Sequence, residues 1–74
     1  MKFQDYIESN HTFMLGKPVI KGTRITVELI LKKLSEGAST SQLIDMYPSL
    51  NNDKINACLA YASDVISNEL ILQD

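Results

Sequence analysis

Residues 26–51 carry helix start and stop signals at close intervals, and these signals constrain the fold more than any other feature of the chain. Thr26 places a hydroxyl just before an apolar-periodic stretch, and Glu28 follows near the positive end of the helix dipole. Gly37 is typical of the residue at which a helix ends in a left-handed conformation. Apolar residues recur between these signals at helical spacing: Val27, Ile30, Leu31 and Leu34. The sequence therefore predicts a first helix between Thr26 and Gly37.

A second, short helix is predicted directly after this stop. Ser39 and Gln42 have the spacing of a capping box, and Pro48 must end the helix that they begin. We expect its buried side to be formed by the apolar residues of this stretch: Leu43, Ile44, Met46 and Tyr47. Leu50 follows in the turn, where it is expected to fill the core between neighbouring helices.

Asn51 is the third cap, and a helix of about 19 residues is expected after it. Its apolar residues recur every three or four positions: Ile55, Cys58, Leu59, Ala62, Val65, Ile66 and Leu70. Such a helix spans close to 30 Å, whereas the second helix covers about 10 Å. The part beyond about Ala62 therefore needs another surface, and we expect a homodimer interface that includes Val65, Ile66, Leu70 and Ile71.

The segment before Thr26 is predicted to be a β arm. Two short apolar pieces, 12–15 and 18–20, are separated by Gly16 and Lys17 and suit a small hairpin or an extended arm. Gly22 is expected at positive φ. We therefore predict one domain over residues 1–74, with the arm at 1–25 and a helical core with a long C-terminal helix at 26–74. The fold class is mainly α.

Chain length supports an oligomer, and cysteine usage favours a reducing compartment. A chain of 74 residues buries only roughly 60% of the surface that its unfolded form exposes, so a homodimer would add to its core. The single cysteine excludes an intramolecular disulfide. The first ten residues are too polar for a signal peptide, and no run approaches the roughly 18 apolar residues of a membrane span. We expect a cytoplasmic protein without membrane contact.

Charge is divided unevenly along the chain. Lysine and arginine outnumber carboxylates six to three in residues 1–33, whereas a single lysine faces six carboxylates in residues 34–74. This asymmetry suits a polyanion at one end and a basic partner at the other, or it is ordinary solvated charge.

The residues needed for catalysis are scarce. His11 is the only histidine, and Cys58, the only thiol, lies inside an apolar helical stripe where it behaves as a small hydrophobe. Asp45, Asp53 and Asp64 lack the spacing of a metal-binding loop, and the glycines form no phosphate-binding motif. We therefore expect no catalytic site, no metal site and no cofactor.

The order of helices, glycine turn and turn leucine is that of a helix-turn-helix. Several segments together resemble one bacterial and archaeal family, domain of unknown function 433: Gly16–Val27, Gly37–Ser39, Tyr47–Leu50, Ile55, Ala57, Leu59 and Tyr61–Ala62. The resemblance implies a homeodomain-like three-helix bundle with an N-terminal β arm. It also implies an antitoxin of a toxin–antitoxin system, which binds and neutralises a PIN-like nuclease and binds its own operator DNA.

In a helix-turn-helix the first turns of the third helix contact bases, so Asn52, Lys54 and Asn56 are candidate DNA readers. Asp53 cancels the charge of Lys54, so phosphate contacts would come from cations elsewhere. The candidates in the arm are Lys17, Lys21 and Arg24.

Two questions stay open at this point. Arg24 could lock the arm through carbonyls or Glu28, contact a phosphate, or contact a protein partner. The alternative function for the whole chain is a non-catalytic homodimeric interaction module that does not bind DNA.

Overall fold

The computed structural model describes residues 2–9 and 16–73, with the backbone alone for 69–73. A 3₁₀ helix at Phe3–Asp5 leads into β1 (Ile7–Glu8), and β2 (Val19–Ile20) follows after the intervening segment. Three helices complete the chain: α1 (Val27–Ser35), α2 (Thr40–Met46) and α3 (Asn52–Gln73). The expected mainly α fold of three helices with a short N-terminal β element is confirmed.

β2 pairs antiparallel with β1, with Ile7 opposite Ile20 and Glu8 opposite Val19. The sequence reading had placed the first apolar piece of the arm at residues 12–15, which lie outside the described residues. Segment 7–8 was not singled out as a strand, because two residues are too few to show a strand period.

The segment from Pro18 to Val27 folds back on itself. The Ile20 amide donates to the Ile25 carbonyl over 2.9 Å, and the Val27 amide donates to the Pro18 carbonyl over 3.0 Å. A β-turn bonded from the Thr23 amide to the Ile20 carbonyl joins the two sides, and its third residue, Gly22, has φ of 77°. A side chain is strained at that φ, so the expected role of Gly22 is confirmed.

Both ends of α1 have the predicted caps. The Leu29 amide donates to the Thr26 hydroxyl over 3.1 Å, which satisfies one free amide of the first turn. At the other end Gly37 has φ of 99°, and its amide and that of Ala38 donate back to carbonyls of the last turn, as in a Schellman motif. The predicted limits of this helix are therefore confirmed.

The start of α2 is also as predicted, but one of its expected core residues is not buried. Ser39 and Gln42 bond reciprocally in a capping box, and Leu43 is fully buried. Met46, by contrast, leaves 49% of its surface exposed, so its assignment to the buried side was wrong. A seven-residue helix turns only twice, and the core reaches only one side of its last turn.

α3 begins at the predicted cap, where the Lys54 amide donates to the Asn51 side-chain oxygen over 2.8 Å. It extends over 22 residues, slightly longer than the sequence predicted. The core lies between α1, α2, the first turns of α3 and the β strands, and its fully buried members are Ile20, Ile30, Leu43, Ile55, Ala57 and Cys58. Leu50 is 4% exposed, so the predicted turn plug is confirmed.

The 3₁₀ helix packs against α3 through an aromatic pair. The Phe3 and Tyr61 rings lie 5.5 Å apart at 88°, an edge-to-face arrangement. The N-terminal segment therefore covers the middle of α3, an interaction that the sequence reading did not predict.

Candidate nucleic-acid and partner interface

The arm brings Lys17 beside the first turn of α1. Its ammonium Nζ lies 3.0 Å from Oε1 of Glu28, and both side chains are more than half exposed. A solvent-exposed pair of this kind contributes about 0–1 kcal/mol, so an incoming phosphate can replace the carboxylate at little cost. Lys17 and Glu28 line an open groove with Thr26, Leu29 and Lys32. The pair of Lys17 with Glu28 was not predicted from the sequence. Helix spacing indicates only that Glu28 and Lys32, four residues apart, lie on one face of α1.

The other two arm cations lie in the turn after β2. Lys21 follows the strand directly, and its amide donates to the Tyr6 carbonyl over 2.9 Å, which ties the turn to the segment before β1. The side chains of Lys21 and Arg24 are both exposed. The rigid backbone therefore presents both cations at the surface, and the three interpretations of Arg24 stay predictions.

The three candidates in α3 differ in their surroundings. Asn52 and Asn56 are exposed and lie one helical turn apart on the same side of α3. Lys54 is partly buried, and its Nζ donates to the Ser49 carbonyl over 2.6 Å. In this structure its charge thus stabilises the turn between α2 and α3, and a DNA contact would require it to leave that carbonyl.

Cys58 is fully buried in the core. Burial raises the pKa of its thiol to about 11, because the apolar surroundings disfavour the thiolate. A protonated, enclosed thiol is a poor nucleophile. Within residues 2–9 and 16–73 no group of three or more histidine, cysteine or acidic side chains is arranged to hold a metal ion.

Apolar side chains are exposed on α3 at Leu59 and in the second half of the helix. Val65 and Ile66, two of the predicted dimer residues, are 38% and 56% exposed, and Leu59 is 46% exposed. The other two, Leu70 and Ile71, have side chains outside the described set. No helix in the described part of the chain is both long and apolar enough to cross a membrane.

The fold and these surfaces define a small, mainly α protein that combines three helices with a short β element and exposed arm cations. The chain belongs to the family described as "Protein of unknown function (DUF433)", whose model matches residues 7–62.

Two similar proteins have been found. The uncharacterized protein y4eO of Sinorhizobium fredii (strain NBRC 101917 / NGR234) is 29% identical over 59 residues, which cover 80% of this chain and 27% of that protein. The crystal structure of a DUF433 member from Anabaena variabilis ATCC 29413 superposes with a TM-score of 0.80 at 25% identity, covering 88% of this chain and 64% of that one. The present chain thus spans about a quarter of the first relative and just under two thirds of the second.

Proposed function

We propose that this protein is an antitoxin-like protein that binds and neutralises a PIN-like nuclease and binds its own operator DNA. The observation that carries the proposal is the uneven division of exposed charge along the chain, although Asp5, Glu8 and Glu28 also lie in its cationic first part. Exposed cations lie on the arm and α1: Lys17, Lys21, Arg24 and Lys32. Exposed carboxylates lie beyond them: Glu36, Asp45, Asp53 and Asp64.

The two charged regions suit two different partners. A nuclease must attract phosphates and therefore has a basic surface, to which the carboxylates of the second half are complementary. DNA is attracted by cations, and the arm supplies them on a backbone fixed by the turn at Gly22. The resemblance of Gly16–Val27 to the family motif supports the same assignment.

Co-expression tests the nuclease part of the proposal. The genes beside that of this protein would be searched for a nuclease-like reading frame, which would be expressed from an inducible promoter with and without this protein. We expect growth arrest by the nuclease alone and recovery on co-expression. The control is Ile55→Asp, which disrupts the core. It shows whether recovery of growth requires the folded protein. Arrest that persists with the soluble wild-type protein would exclude neutralisation.

A salt series tests the DNA part. Fluorescence anisotropy would follow binding to the gene's own upstream duplex, for the wild-type protein and for Lys21→Ala with Arg24→Ala. The slope of log K against log salt is negative, and each lost phosphate contact is expected to make it less steep by about 0.9. Lys2→Ala is the control, because Lys2 is an exposed lysine that is not among the candidate DNA contacts. An unchanged slope in the double variant would exclude phosphate contacts by Lys21 and Arg24.

The second candidate function is a homodimeric interaction module that does not bind DNA. The exposed apolar side chains of Leu59, Val65 and Ile66 favour it, because a second α3 would bury them. Sedimentation at micromolar concentration should then give a dimer that Ile66→Asp weakens and Ser67→Asp leaves intact. A wild-type monomer would exclude this interface.

A further inference from the structure

An open groove lies between the end of α1 and one side of α2. Its volume is about 540 Å³, and its floor is the Gly37–Ala38 connection. The walls are formed by Lys33 and Glu36 on one side and by Gln42, Asp45 and Met46 on the other. Because Gly37 is fixed by the Schellman hydrogen bonds and Gln42 by the capping box, both walls are held in place by local structure.

Met46 is the apolar feature of this groove. Leu43, one turn earlier, is fully buried, whereas almost half of Met46 is exposed. Unbranched and polarizable methionine side chains adapt to varied partners and are enriched where one protein binds another. An exposed methionine in a concave surface therefore offers an apolar side chain of a partner a place to pack.

The charges around Met46 restrict what that partner can be. Glu36 and Asp45 are both exposed, and no ion pair joins either carboxylate to another residue of the described ranges. Lys33 offsets one of the two charges, so the groove remains acidic and would repel a phosphate backbone.

The shape of the groove does not suit a small molecule. Such ligands are usually enclosed over about 70–90% of their surface, with a few buried polar groups to orient them. Here Glu36, Gln42, Asp45 and Met46 are all exposed, and no buried side-chain nitrogen or oxygen of the described residues lacks a hydrogen-bond partner. An open, acidic groove with one apolar contact fits a segment of another protein instead.

We propose that this groove binds a lysine- or arginine-rich amphipathic segment of a partner protein, with an apolar side chain of the segment against Met46 and its cations against Glu36 and Asp45. This inference rests on the proposed function for the existence of a protein partner, and it names the site that the partner occupies. The exposed apolar side of α3 is separate from the groove and stays available to a second copy of the chain.

A defined peptide tests the site without knowledge of the natural partner. The probe is a synthetic amphipathic peptide about four turns long, with leucine at helical spacing and lysine elsewhere, and the matched peptide carries glutamate in place of lysine. Calorimetry would measure its binding to the wild-type protein and to two variants, Met46→Ser and Glu36→Gln with Asp45→Asn. Asp5→Asn with Glu8→Gln is the control, because it removes two exposed carboxylates that lie outside the groove.

We expect the lysine peptide to bind, with each groove variant weakening its binding by about tenfold or more and the control variant by less than about twofold. Three results would overturn the inference: no binding of the lysine peptide, equal binding of the glutamate peptide, or equal losses in the groove variants and the control variant. Circular dichroism of every variant would show whether it is folded, and Met46→Leu, which keeps an apolar side chain, should retain binding if Met46→Ser does not fold.

The co-expression experiment separates this inference from the proposed function. If the wild-type protein restores growth and the groove variants restore it equally, the groove is not the partner site and neutralisation stands. If the wild-type protein does not restore growth, neutralisation fails, and the partner site proposed here fails with it unless the peptide still binds in the groove.

Discussion

The two halves of α3 have the same apolar periodicity but very different surroundings. In the first half Ile55 and Cys58 are completely buried, whereas in the second half Val65 and Ile66 are 38% and 56% exposed. The difference arises because α1, α2 and the strands pack only on the first turns, and the 3₁₀ helix extends that cover as far as Tyr61. An apolar stripe thus defines which side of a helix can be buried, and the neighbouring elements decide whether it is.

Truncating one isoleucine in each half gives the largest expected contrast. Ile55→Ala opens a cavity in a packed core and should lower the free energy of unfolding by about 2–5 kcal/mol. Ile66→Ala removes little buried surface and should change it by less than about 0.5 kcal/mol at low protein concentration. Urea denaturation measures both, and equal losses at concentrations where the chain is monomeric would show that the second half is covered within one molecule.

Thiol reactivity compares the two halves chemically. The buried Cys58 should react with iodoacetamide at least about a hundredfold more slowly than a cysteine introduced by Ser67→Cys in a Cys58→Ala background, because it must be exposed by unfolding first. Mass spectrometry would follow the modification. Similar rates for the two thiols would contradict the enclosure of the first half.

The same thiol predicts how stability depends on pH. Burial raises the pKa of Cys58 to about 11, above the value of about 8.5 for a free thiol, so the unfolded state releases this proton first. Its contribution to folding should be complete below about pH 8.5 and should decline as pH rises towards about 11. Urea titrations at several pH values in this range would measure the free energy of unfolding of wild type and of Cys58→Ala. The difference between the two should shrink as pH rises.

The aromatic contact at the boundary between the halves should have an intermediate effect. Phe3→Ala removes the edge-to-face pair with Tyr61 and part of its apolar cover, which should cost about 1–2 kcal/mol. Phe3→Leu is the control, because it keeps apolar surface without the ring. Urea denaturation would measure the stability of both variants. If Phe3→Ala is as stable as wild type, the N-terminal segment does not stabilise the packing of α3.

The cap of α3 should show the smallest of these effects. Asn51→Ala leaves the Lys54 amide without its side-chain acceptor and should destabilise the protein by about 1 kcal/mol. Asn51→Asp, which can accept the same bond, should retain most of the stability. Thermal denaturation followed by circular dichroism measures both variants, and equal losses would count against the capping bond.

Local signals made most of the helical fold predictable. Thr26, the pair Ser39–Gln42 and Asn51 begin their helices as expected, and Gly22 and Gly37 take positive φ. Each of these features depends on residues within about four positions of one another, so the sequence carries them directly.

Features that depend on distant residues were not predictable in the same way. The pairing of Ile7–Glu8 with β2, the contact of Phe3 with Tyr61 and the exposure of Met46 are set by tertiary packing, which a single sequence does not display. At the candidate site, Lys17, Lys21 and Arg24 are exposed, and their roles stay predictions. The contacts of Lys17 with Glu28 and of Lys54 with the Ser49 carbonyl were not predicted from the sequence.

The closed segment from Pro18 to Val27 also has a consequence for the order of folding. Its hydrogen bonds join residues at most nine positions apart, and loops of about ten residues close in about 10–100 ns. The pairing of β1 with β2 joins residues farther apart and carries a larger loop-closure entropy. We therefore expect the cationic segment to form early and to provide the template on which the N-terminal strand then pairs.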